Sequence, residues 1–139
     1  MIKKRNVLFL CTGNSCRSQM AEGWTKHLKS NEFEAYSAGI NPHRLNPLAV
    51  QVMREVGVDI SNQISNHVDQ FKDITFDLVV TVCSHAQERC PIFPAKTTVI
   101  HQGFDDPPQL AKHSKSQKEV LEIYRRVRDE IRIFVEKLS

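Results

Sequence analysis

Along this chain, short unbroken apolar runs alternate with segments whose apolar residues recur every three or four positions. Residues 6–10, 33–37, 76–82 and 97–101 are runs of the first kind, and their length predicts buried strands. The helical spacing first appears from Ser18 to about Ser30. A second helix is predicted to start at Asn46-Pro47, an N-cap followed by a first-turn proline, and to stop at Gly57. A long last helix begins at Ser116, with Glu119 completing a capping box. It carries Val120, Tyr124, Val127, Ile131, Phe134 and Leu138 on one face, a stripe that predicts core packing. Trp24, on the apolar side of the first helix, reads the same way. The stretch from Pro107-Pro108 to Lys115 reads as a mobile loop. Alternating strands and helices predict one α/β domain, residues 1–139, with a parallel sheet flanked by helices.

Composition adds exclusions. With 139 residues, 40% apolar and 25% charged, the chain is long enough to bury a core without disulfide staples. A formal charge of +3, spread along the chain, argues against a nucleic-acid partner and at most helps to attract a small anion. The start, Met1-Ile2-Lys3-Lys4-Arg5, imitates a signal peptide, but the apolar run after it is too short. No stretch approaches the length of a membrane span. The expectation is a cytoplasmic protein without a membrane partner. No helix face is left spare and apolar, which favours a monomer. In that compartment Cys11, Cys16, Cys83 and Cys90 point to catalysis or metal binding, not to structural disulfides.

The chemistry concentrates in Cys11-Thr12-Gly13-Asn14-Ser15-Cys16-Arg17-Ser18, between the first predicted strand and the first predicted helix. A thiolate there lies among amide N–H groups at a helix N-terminus, which favour negative charge. Gly13 and Asn14 suit the left-handed backbone of a tight anion-binding loop. Arg17 supplies a fork of donors matched to a tetrahedral oxyanion, and Ser18 a hydroxyl for the sulfur. These features predict a lowered pKa for Cys11 and a thiolate near neutral pH. Asp106, held before Pro107, is the candidate general acid, with Asp105 as its rival.

Cys83 ends the third predicted strand, and Cys90 follows seven residues later. Were the segment between them helical, their α-carbons would stand roughly 10 Å apart, and a disulfide tolerates only about 7 Å. Joining them therefore requires the segment to refold. A zinc set from Cys83, His85, Cys90 and His101 or His67 lacks the paired spacing of such sites.

The loop, continued by Gln19-Met20-Ala21-Glu22-Gly23, resembles that of the thioredoxin-coupled arsenate reductases, which share their fold with low-molecular-weight protein tyrosine phosphatases. The resemblance extends through Tyr36-Ser37-Ala38-Gly39-Ile40, Val56-Gly57-Val58-Asp59-Ile60-Ser61-Asn62, Asp77-Leu78-Val79-Val80-Thr81, Gly103-Phe104-Asp105-Asp106-Pro107 and Arg126-Val127-Arg128-Asp129-Glu130-Ile131. It implies a four-stranded parallel sheet with the catalytic loop after the first strand. It implies that Thr12, Gly13, Asn14, Ser15, Cys16 and Arg17 hold arsenate while Cys11 attacks arsenic and Asp106 protonates the leaving hydroxyl. Cys83 then attacks Cys11, expelling arsenite, and Cys90 attacks Cys83. Reduced thioredoxin, with no tightly bound cofactor, restores the Cys83–Cys90 pair. Cys16 stays outside this relay.

Some members also bind potassium through an asparagine, a glutamate, a serine and an aspartate. Asn14, Glu22 and Ser37 match, whereas Asn66 stands in the aspartate's place. Gln102 occupies a position where relatives often carry tryptophan. Two rival functions are a phosphatase using Cys11, Arg17 and Asp106, and a thiol module that binds arsenite without turnover. Cys83 and Cys90 argue against the first, Arg17 and Asp106 against the second.

Overall fold

The computed structural model describes residues 3–83 and 91–139. Four strands, β1 (Arg5–Cys11), β2 (Phe33–Gly39), β3 (Leu78–Thr81) and β4 (Thr98–His101), form one parallel sheet in the order β2-β1-β3-β4. Val7, Leu8, Phe9 and Leu10 are all wholly buried, the pattern of a central parallel strand covered on both faces. β4 is the exposed edge.

The helices are α1 (Arg17–Leu28), α2 (Pro47–Glu55), α3 (Pro107–Ala111) and α4 (Gln117–Glu136). α1 packs on β1, β2 and α4, and α4 also packs on α2 and α3. Tyr124, Val127, Ile131 and Leu138 of the predicted stripe are buried, and Val120 and Phe134 are partly buried. Trp24 is buried against this helix and donates its indole N–H to the Arg128 carbonyl at 3.0 Å. Among the described residues no helix is long and apolar enough to cross a membrane.

The helix ends follow the capping signals closely. The Asn46 side chain accepts from the Leu48 and Ala49 amides, Pro47 begins α2, and Gly57 takes the left-handed φ of 81° beyond its end. At Ser116 the hydroxyl accepts from the Glu119 amide as expected. The Glu119 carboxylate, however, takes the Lys115 amide, one residue before the position a capping box requires. The expected loop after residue 107 holds a short helix instead. Its first position is Pro107, where a missing N–H costs nothing, and Asp106 is extended ahead of it.

Candidate active site

The loop joining β1 to α1 is shaped by what its carbonyls bond. The Thr12, Gly13 and Ser15 carbonyls accept from the Asn41, His43 and Asn46 amides at 2.8, 2.7 and 2.9 Å. The Asn14 carbonyl accepts from the Gln19 side chain at 2.9 Å, and the Cys16 carbonyl from the Met20 amide. In a trans peptide the N–H points opposite the C=O, so carbonyls turned outward leave the following amides facing inward as anion donors. Asn14 has the left-handed φ of 46°. Gly13 does not, contrary to the sequence expectation. Its small size serves space instead, since a Cβ there would meet the His43 ring at 2.9 Å. Gly39, paired with Cys11 across β1 and β2, lets the loop lie directly on the sheet. A Cβ on Gly39 would stand 2.7 Å from the Thr12 oxygen.

Over this loop lies a cavity of about 290 Å³ lined by Cys11, Thr12, Gly13, Ser15, Cys16, Arg17, His43, Asp106 and Pro108. Arg17 anchors one wall, with Nη1 donating to the Phe104 carbonyl at 3.1 Å and Nη2 lying 3.6 Å from the Asp106 carboxylate. Asp105 turns the other way, to Arg126 at 3.0 Å. Of the two candidate acids, only Asp106 therefore faces the cavity.

Asn14 is buried beneath the loop, and its side chain fixes a direction of hydrogen bonding. Its Oδ1 accepts from the Asn66 amide at 2.7 Å, so its Nδ2 is the end that donates to Ser18 Oγ at 2.9 Å. The Ser18 hydroxyl, already accepting, is free to donate to Cys11 Sγ at 2.9 Å. The Asn14 amide adds a second donor to the same sulfur at 3.2 Å.

Cys83 is a further neighbour of that sulfur. Its thiol is in hydrogen-bond contact with Cys11, and its own sulfur accepts from the Thr12 amide at 3.2 Å, with the Thr12 hydroxyl 3.4 Å away. This contact corrects the sequence expectation for Cys11. The Cys83 thiol and complete burial hold the Cys11 pKa above its ordinary value, against the opposing pull of Ser18 and Arg17. Cys16 is raised to about 12 by burial, which makes it a poor nucleophile despite its place on the cavity wall. Cys90 and His85 lie outside the described residues.

The residues matched to a potassium site, Asn14, Glu22 and Ser37, do come together, with Asn66 beside them. Their oxygens are already engaged. Glu22, on α1 and nearly buried, accepts from the Ser37 hydroxyl on one oxygen and from the Lys26 ammonium on the other, while Asn14 Oδ1 holds the Asn66 amide. The set does not fit a potassium ion. Among the described residues no three His, Cys, Asp or Glu side chains gather as a metal site.

Several fasteners of the loop escape a reading of the sequence. Gln63 donates to both the carbonyl and the side chain of Gln19, which in turn holds the Asn14 carbonyl. Asn46 was legible as a helix cap, but it also bonds the Ser15 carbonyl and the Tyr124 hydroxyl. His43 carries the one available signal, since it follows the carboxyl end of a parallel strand, where α/β sites assemble.

A model of the low molecular weight phosphotyrosine protein phosphatase family matches residues 6–139. An arsenate reductase of Halalkalibacterium halodurans is 51% identical over 130 residues, spanning 94% of this chain and 91% of that one. Among solved structures, an arsenate reductase in its oxidized state is similar with a TM-score of 0.78 at 31% identity, covering 96% of this chain and 95% of the other. The low molecular weight protein tyrosine phosphatase of T. tengcongensis gives a TM-score of 0.77 at 26% identity, over 96% and 97%. Sheet order, loop and kinship along nearly the whole length agree, and the chain belongs to the low molecular weight phosphotyrosine protein phosphatase family, among its arsenate reductases.

Proposed function

We propose that the protein reduces arsenate to arsenite through Cys11, Cys83 and Cys90, with thioredoxin as the final reductant. Arsenate sits in the cavity against the loop amides and Arg17, which match a tetrahedral oxyanion. The Cys11 sulfur displaces one arsenate oxygen, which leaves as water with a proton from Asp106. Cys83 then attacks the Cys11 sulfur, and the electron pair of the S–As bond stays on arsenic. Arsenic(V) becomes arsenite as the two sulfurs are oxidised to a disulfide. Cys90 attacks Cys83, releasing Cys11 as thiolate, and the thioredoxin dithiol supplies two electrons to the Cys83–Cys90 disulfide. One chain supplies every group, in keeping with a cytoplasmic monomer.

The observation that carries this reading is Cys83 set against Cys11: its thiol bonds the Cys11 thiol, and its sulfur accepts from the neighbouring Thr12 amide at 3.2 Å. A phosphatase resolves its cysteinyl intermediate with water and gains nothing from a second sulfur there. Because Cys11, Arg17 and Asp106 also suit a phosphate ester, weak phosphatase activity is the second reading.

The test is arsenite formation with thioredoxin, thioredoxin reductase and NADPH, with glutaredoxin and glutathione run in parallel. Cys11→Ser, Cys83→Ser and Cys90→Ser should each lose multiple turnover. Cys90→Ser should trap a Cys11–Cys83 disulfide after one cycle. Normal turnover by Cys90→Ser rejects the third step.

A further inference from the structure

We infer that the Lys26 ammonium is the built-in cation of this active-site loop, and that the protein therefore takes no potassium. Lys26 lies one helical turn after Glu22 on α1, and its Nζ reaches Glu22 Oε2 at 2.5 Å. Glu22 keeps only 9% of its side-chain surface exposed, so its charge needs a partner at close range. Ser37 donates to the other carboxylate oxygen.

From there the contacts lead to the nucleophile. Asn66 Nδ2 donates to the Ser37 carbonyl at 3.4 Å and to the Ile64 carbonyl at 2.9 Å. The Asn66 amide holds Asn14 Oδ1, and Asn14 Nδ2 holds Ser18, whose hydroxyl meets Cys11 Sγ. A cation entering this cluster would find one carboxylate already paired and Asn14 Oδ1 already occupied. It would also find Asn66 presenting a donor, where an aspartate would present negative charge. Glu22 and Lys26 together carry no net charge, so an added ion would leave a partly buried excess of one. Lys26 is on this account a positioning residue that acts through Glu22, Ser37 and Asn14.

The test compares thermal unfolding in KCl, NaCl and choline chloride at about 0.1 M each, where ionic screening is matched. The wild-type midpoint should agree within about 1 °C in all three salts. Lys26→Met keeps the aliphatic stem but strands the Glu22 carboxylate. Its midpoint in choline chloride should fall by roughly 3–6 °C, and KCl should restore at least half of that loss. Lys26→Arg should behave like wild type in every salt. Selective stabilisation of the wild type by KCl overturns the inference, and this arm stands even if Lys26→Met does not fold. An unchanged Lys26→Met midpoint, or a loss that KCl does not recover, overturns it too. None of these measurements depends on arsenate turnover, so they stand apart from the proposed reaction.

Discussion

Asn14 donates to the Ser18 hydroxyl at 2.9 Å, and this one bond aims the serine proton at Cys11. The hydroxyl is thereby a one-way donor to the sulfur, and it lowers the Cys11 pKa against burial and Cys83. Ser18→Ala should move the pH profile of Cys11 alkylation upward and slow arsenate reduction about tenfold, the scale of one charge-assisted hydrogen bond. Cys83→Ala removes the largest raising influence and should move the same profile downward. Iodoacetamide labelling of residue 11 across pH, read by mass spectrometry, checks both directions.

Asp105 and Asp106 are chemically equivalent neighbours that the fold separates. Asp106 faces the cavity, while Asp105 is tied to Arg126. Asp106→Asn should lower arsenate turnover roughly 10²- to 10⁴-fold, the usual worth of a general acid. Asp105→Asn removes an exposed ion pair and should stay within about threefold. Equal losses in the two variants would refute the assignment.

Gly39→Ala tests how closely the loop rests on the sheet. The new methyl would meet the Thr12 oxygen at 2.7 Å and the Asn14 nitrogen at 2.9 Å, both backbone atoms that cannot turn aside. Urea unfolding should show a loss of about 1–3 kcal/mol, as for other overpacked sites. Arsenate affinity should fall with it.

Cys16 gives an alkaline signature. Burial holds its pKa near 12, whereas the unfolded thiol releases its proton near 9.0. The folded state thus keeps a proton that the unfolded chain loses, so the stabilisation is complete below pH 9.0 and disappears as pH rises towards about 12. The slope is about 1.4 kcal/mol per pH unit for one thiol. Urea midpoints between those limits should fall less steeply for Cys16→Ala than for wild type.

What the sequence revealed and what it hid divide along one physical line. Strand centres, the start of α2 at Asn46-Pro47 and the stop at Gly57 depend on neighbours in sequence, and they were legible. α3 was not, because five residues are too few to show a helical period and Pro107-Pro108 resembles a break. The cavity-lining residues between 11 and 17 could be named from their motif, but the fasteners Asn41, His43 and Asn66 work through backbone amides that no residue type announces. The Cys11 pKa failed for the same reason. Helix and arginine were visible beside it, while Cys83 reaches it only through the pairing of β1 with β3.

Asn46 grips the Ser15 carbonyl with its amide and the Tyr124 phenol with its side chain. A ribosome must therefore release most of the polypeptide before this clasp can shut. Until Tyr124 docks, the young chain exposes its first cysteine without a finished cradle around it. Competence for the anion is acquired late in synthesis, close to the moment when the domain itself becomes whole.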